Sequence, residues 1–305
     1  MNRWRLVGAV ALAAACGSKP KASTVPFTEP DTLHGAYALL SLVPKGAERV
    51  IELDLRRLRD NESVGPLVRS WGQRADLRAM GDLGFNPLLE ADLLVLATYP
   101  AAETDTTIVL ARGETMQAQR IAGARRDASP LDATTVVYGP EPHRQKILAL
   151  AQGHGDSVLA EDAFLRLRDQ AIPKGAPGAS LRATARFGFG RRVELAGQLG
   201  LDEMPGTASV WGDVADDVAV VGLFAASSEV AARRLANSIE RLFQRDFSAY
   251  VPGAAFEAKA RGAITRVVFH LGPHALARLK GSMTSPTGPT GDGGPPGDAG
   301  EAGQP

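Results

Sequence analysis

Two apolar strand pairs, each turning on acidic residues and each followed by a helical pattern, restrict what this chain can fold into more than any other feature. Residues 93–99 and 106–112 flank the polar turn Glu103-Thr104-Asp105, and residues 208–214 and 218–225 flank Ala215-Asp216-Asp217. Strands joined so closely in sequence are neighbours in space, and runs of them mixed with helices favour antiparallel layers. A short helix is predicted over residues 116–122 after the first pair. After the second, a long one runs from a Ser227 or Ser228 cap to about Arg245. Its apolar stripe is Ala231, Leu235, Ile239, Leu242 and Phe243.

The pattern extends to the rest of the chain. Over residues 49–55, Ile51, Leu53 and Leu55 alternate with Glu52 and Asp54, which predicts a strand with one buried face and a solvated carboxylate face. Ser63 is placed to cap a helix in which Val64, Leu67, Val68 and Trp71 share one side, with Pro66 tolerated in the first turn. Strand then helix recurs over residues 181–199. Residues 134–138 and 146–152 read as another strand pair with 158–160 behind it. Asp162 is placed to cap a helix carrying Phe164, Leu167 and Ala171, stopped by Pro173. A last strand spans 264–271, and Gly272-Pro273 separates it from a short helix ending near Lys280. The expectation is an α+β fold, with mainly antiparallel sheets and helices packed on one face. It is built as two related halves, residues 36–173 and 178–282, divided at Lys174-Gly175-Ala176-Pro177-Gly178.

Residues 1–35 follow other rules. Arg3 and Arg5 precede an apolar stretch over residues 6–15, and Leu12-Ala13-Ala14-Ala15-Cys16 sets small residues against the only cysteine in the chain. A positive start, a short apolar core and small residues at its end are the layout of a secretory signal. The segment resembles a bacterial lipoprotein signal with its lipobox. That resemblance implies that residues 1–15 are removed as a signal peptide, and that the Cys16 thiol receives a diacylglyceryl group and becomes the acylated, palmitate-bearing N-terminus of an extracytoplasmic body. Gly17 stands where an aspartate would favour inner-membrane retention in enteric bacteria, so the resemblance favours the outer membrane. The apolar stretch is shorter than the roughly 20 residues that cross a bilayer. The predicted attachment is therefore lipid: each buried methylene contributes about 0.8 kcal/mol, so one chain holds reversibly and two or three hold firmly. Residues 16–35, rich in Lys, Ser, Thr and Pro, read as a flexible tether, and apolar residues 36–43 dock on the body before Pro44.

Charge narrows the partners. With 34 basic and 34 acidic residues the net charge is zero, which argues against nucleic acid or an anionic membrane surface as the main partner. The basic pairs Arg125-Arg126 and Arg191-Arg192 read as solvated surface. One cysteine leaves no intrachain disulfide, so stability must come from the core of a 305-residue chain.

Chemistry-bearing patterns are sparse. His270 and His274 have a spacing that can ligate metal on a helix, but Gly272-Pro273 between them breaks any shared helix. His143 and His154 have no ligand-rich neighbourhood in sequence. Gly153-His154-Gly155-Asp156-Ser157 lacks the glycine spacing of a nucleophile elbow and reads as a hairpin turn. Gly188-Phe189-Gly190 lacks the third glycine of a dinucleotide fingerprint. Asp213, Asp216 and Asp217 lack the alternation of a calcium loop and read as hairpin-tip carboxylates. No catalytic, cofactor-binding or metal-binding residue is assigned, and no cofactor is implied. The one predicted modification site is Cys16.

The leading expectation is a non-enzymatic envelope lipoprotein. Its partners are the membrane, through the anchor, and another envelope protein at a surface or groove, with no nucleic acid. A periplasmic hydrolase with a site assembled from distant residues, or a carrier of an apolar ligand, are the alternatives. From Gly288 to Pro305 glycine occupies every third position, a collagen-like pattern that, over six triplets, reads as a disordered Gly/Pro tail within residues 283–305.

Overall fold

The computed structural model describes residues 36–73, 85–100, 105–174, 176, 178–199, 201, 204–248 and 253–284. Their strands are β1 (Arg49–Asp54), β2 (Leu93–Tyr99), β3 (Thr106–Arg112), β4 (Ala128–Pro130), β5 (Thr135–Tyr138), β6 (Leu181–Arg186), β7 (Thr207–Val214), β8 (Val218–Ala225), β9 (Ala255–Arg261) and β10 (Ile264–Leu271). All pair antiparallel in one sheet, in the order β4-β5-β3-β2-β1-β6-β7-β8-β10-β9. The fold is α+β with antiparallel strands, as the sequence pattern predicts, but its helices pack on both faces of a single sheet rather than on one face.

Reading outward from the β1/β6 seam, the first half runs β1-β2-β3-β5-β4 and the second β6-β7-β8-β10-β9. Each strand of the second half is five places later in the chain than its counterpart, so the two strand orders coincide. At the seam Arg49 faces Ala185 and Leu53 faces Leu181. Both predicted hairpins form, with Leu93 opposite Arg112 in one and Val214 opposite Val218 in the other.

The helices are α1 (Tyr37–Leu40), α2 (Leu55–Asp60), α3 (Gly65–Gln73), α4 (Pro87–Glu90), α5 (Ala118–Gly123), α6 (Glu141–Ala151), α7 (Asp162–Asp169), α8 (Phe189–Leu199), α9 (Glu229–Asp246) and α10 (Pro273–Thr284), with a 3-10 turn at Val158–Ala160. Strand alternation assigns each side chain to a face. On the front of the first half, Leu39, Leu40, Ile147, Val158 and Phe164 pack on Val50, Val95, Leu110 and Val137. On its back, Leu55, Phe85, Ala118 and Ile121 pack on Leu94, Ala111 and Val136. The back of the second half takes Leu235, Ile239 and Phe243 of α9 on Val220, Val267 and Phe269, joined by Leu67 of α3 and Leu276 of α10. Its front is covered near β7 by Ala171, Ile172, Ala176 and Ala179, which reach Trp211 and Val221. Each fully buried large aliphatic or aromatic side chain contributes about 1.5–3 kcal/mol. The strand orders repeat, but the helix that follows the last strand of each half does not: α6, after β5, lies on the front and α10, after β10, on the back.

Helix α9 shows how local signals fix an element. The Ser228 hydroxyl accepts from the Ala231 amide, and Glu229 and Arg245 complement the dipole at opposite ends. At the other helices several expectations change. Residues 146–152 are helix rather than strand. Pro142 in the first turn of α6 has its φ preset for a helix, and a short apolar run alone cannot distinguish the two. Residues 158–160 form the 3-10 turn instead of a strand, with the Ser157 hydroxyl accepting from Leu159 N. The α3 helix is entered through Asn61, whose Oδ1 accepts from the amides of Ser63 and Val64, so Ser63 is not the cap. Asp162 opens α7 as its first residue and Glu161 takes the cap position. Strands β4 and β9 carry no strong sequence pattern, and the pairing of the sheet supplies them; helix α2 is likewise weakly marked and starts at an Asp54 cap. Helix α10 runs to Thr284 rather than ending near Lys280, so residues 283 and 284 are helix and not tail. The tether, the rest of the Gly/Pro tail, Cys16 and most of the Glu103-Thr104-Asp105 turn lie outside the described residues.

Candidate functional site

The seam strand β1 carries Glu52 on the front of the sheet, opposite Arg182 of β6. The sequence reading places Glu52 on a solvated face; the structure places it 3% exposed. The reason is α7, which crosses the seam and lowers Arg168 onto it. Arg168 Nε and Nη2 each donate to a Glu52 carboxylate oxygen at 2.7 Å, a bidentate pair. Burial is the largest influence and opposes the Arg168 charge, but its hydrogen bonds to Glu52, the Glu52 charge and the neighbouring Asp169 together outweigh it and keep the guanidinium more basic than usual. The Tyr37 ring lies 4.9 Å from Arg168 Cζ, and the Ser209 hydroxyl donates to the Arg168 carbonyl. Arg182 is less basic than usual, from burial first and from Arg168 beside it second. Every part of Glu52 is thus occupied, and this cluster acts as a clamp.

A second cluster overturns the hairpin-tip reading of Asp213. This residue is 6% exposed. Its carboxylate accepts from Arg57 Nε and Nη2 at 2.7 Å each and from the Ser180 hydroxyl at 2.9 Å. Asp216 is exposed at the tip, as expected. Asp54 accepts from the Arg57 amide and caps α2, while burial pushes its carboxyl above the usual aspartate range. Glu52 and Asp54 therefore serve different partners and form no acid/base pair.

A third ion pair holds α8. Arg191 donates to Asp105 at 2.7 Å and to Glu194 at 2.5 Å, and Arg49 joins the same aspartate. So Arg191 is part of a network rather than free surface. The helix it fixes leaves Phe189 76% and Val193 62% exposed, one turn apart on one side. The Arg192 guanidinium stacks 5.5 Å from the Phe189 ring. The sequence pattern predicts a helix from Val193, whereas α8 starts at Phe189; the i, i+4 apolar pair Phe189 and Val193 is the signal of the earlier start.

The histidines do not converge. His270 bonds Asp217 across the β8/β10 pair, whereas His274 is exposed on α10. His154 is exposed, and His143 packs its ring 4.8 Å from Tyr99. Burial, then Lys146, holds His143 below its ordinary pKa of 6.5. The Gly153–Ser157 stretch is a turn, as read, but it links α6 to the 3-10 turn and does not close a hairpin. Gly188-Phe189-Gly190 leads into α8. Among the described residues no group of three or more His, Cys, Asp or Glu side chains could hold a metal ion, and no helix is long and apolar enough to cross a membrane.

No protein-family model and no curated protein matches the chain. Among solved structures it is similar to crystal forms III and I of TP0453. Form III has a TM-score of 0.47, 10% identity, and a match over 80% of this chain and 97% of that one. Form I has a TM-score of 0.44, again at 10% identity, over 81% and 98%. The sheet and its charge clamps rest on this chain's own residues.

Proposed function

We propose that the chain is a lipid-anchored envelope lipoprotein whose body works by binding rather than by catalysis. The observation that carries this reading is Leu12-Ala13-Ala14-Ala15-Cys16 following a short apolar core, the layout of a lipoprotein signal. In it, Cys16 bears the acyl groups, residues 16–35 are the tether, and Gly17 directs the protein to the outer membrane. The body supports the binding reading in two ways. Its buried carboxylates, Glu52 held by Arg168 and Asp213 held by the half-exposed Arg57, are engaged in structure. Its α8 helix holds an exposed apolar pair, Phe189 and Val193, on a fixed ionic mount, which suits contact with another envelope protein.

The test is Cys16→Ser. The wild-type chain is expected to incorporate labelled palmitate, to yield an acylated Cys16 as its N-terminus by mass spectrometry, and to fractionate with the outer membrane. The variant is expected to lose the label and leave the membrane fraction with its body still folded. A variant that stays with membranes and is processed as before ends this reading.

A further inference from the structure

The two outer strands end the sheet in different ways. At β4 the Ala128 carbonyl already accepts from the buried Arg144 guanidinium at 2.8 Å, and Pro130 has no N–H to give. That edge, three residues long, is closed. At the opposite end β9 has seven residues and no proline, and among the described residues no strand lies on its outer side.

Register tells which of its groups face outward. The Ala263 carbonyl accepts from the Ala226 amide, so odd-numbered β10 residues turn their backbone toward β8. The even-numbered residues 264, 266, 268 and 270 turn toward β9, where they meet Arg261, Lys259, Glu257 and Ala255. Phe256, Ala258 and Ala260 are left with N–H and C=O directed away from the sheet.

We propose that this edge pairs antiparallel with the same edge of a second copy of the chain, with Ala258 opposite Ala258 across a two-fold axis. In that register Phe256 meets Ala260 of the second copy, and all three outward residues fall in hydrogen-bonded pairs. Glu257 stands opposite Lys259 of the second copy, twice by symmetry. Sliding the strands by one pleat repeat in either direction sets Glu257 against Glu257 or Lys259 against Lys259 and loses one of the three bonded pairs. A lysine on an edge strand ordinarily deters pairing. Here its counter-charge lies two residues away, close enough that Lys259 and Glu257 already pair within the strand, and the same alternation makes the strand complementary to itself. On the α9 side Ala258 and Ala260 are too small to obstruct the approach.

Sedimentation of the full chain in density-matched detergent, over about 1–100 μM, reads the association. A dimer is expected. Glu257→Lys and Lys259→Glu are each expected to weaken it about tenfold or more, and the double reversal to restore it to within about threefold. Melting curves of the three variants, all at exposed or half-exposed edge positions, verify that each folds. Oxidation in membranes is expected to link Ala258→Cys chains, whose facing Cα atoms would lie about 5.5 Å apart. It is expected to leave Ala255→Cys and wild-type chains unlinked. A monomer throughout this range, or a dimer indifferent to both single reversals, overturns the proposal. A dimer that the double reversal fails to restore also overturns it, because the pairing would then use another register or surface.

Discussion

A carboxylate in the middle strand of a ten-stranded sheet must either reach water or bring its own cation. Glu52 does the second: its side chain is 4% exposed and that of Arg168 is 7%. Desolvating two charges costs several kcal/mol, so such a pair adds little net stability, yet removing one partner strands the other. Arg168→Met is therefore expected to destabilise the protein by about 3–5 kcal/mol in urea unfolding, while Glu52→Leu combined with Arg168→Met recovers much of the loss. A single substitution costing under about 1 kcal/mol would contradict the clamp. His143 makes a different prediction. Its buried Nδ1 has no hydrogen-bond partner and its pKa is depressed, so protonating the ring would bury an unpaired N–H. The unfolded chain binds that proton near 6.5 and the folded chain resists it, so the contribution of His143 is fully present above about pH 6.5 and is lost as pH falls through and below it. Melting temperatures of wild type and His143→Gln, compared at about pH 7.5 and 5.5, should show the smaller acid loss in the variant.

At the scale of elements, what the sequence discloses depends on whether one face or two is buried. The hairpins β2-β3 and β7-β8 are built on long apolar runs, and α9 carries a cap, a stripe and matched terminal charges, so each is legible in the sequence. Strand β1 misleads because alternation normally separates core from water. Here helices cover both faces, Val50 and Glu52 are the buried members, and Ile51 and Leu53 are only half-buried. No local signal announces that Arg168, more than a hundred residues away, will arrive to neutralise Glu52. The same holds for Asp213 and Arg57. Strand β9 was missed for the opposite reason: alanine and charge give it little intrinsic strand preference, and it exists because the two-residue turn at Gly262 (φ +58°) and Ala263 returns the chain along β10. The α6 stretch shows that a five-residue apolar run is ambiguous until Pro142 is weighed. The exposed pair on α8 required a helix start four residues earlier than the pattern suggested.

Across the whole molecule, repeated strand order suggests two units that could melt separately, and the contacts between them decide otherwise. The halves share an unbroken ladder at the β1/β6 seam. Arg57 of the first half is bonded to Asp213 of the second, Glu161 to Arg186, and Asp105 to Arg191. Exchange of apolar groups goes further: Leu67 of α3 sits inside the core beneath α9, and Ala171 at the end of the first half packs on Trp211 and Val221. Unfolding the second half would thus expose Leu67 and take a charged partner from Arg57, Glu161 and Asp105 of the first, of which Asp105 alone keeps another, Arg49, coupling that costs more than a polar interface between independent domains would. Differential scanning calorimetry of the Cys16→Ser chain is therefore expected to give one transition whose van't Hoff and calorimetric enthalpies agree. Arg57→Ala should lower that single midpoint without splitting it. Two resolved transitions, in either chain, would mean that the seam joins the halves in space without making them fold as one.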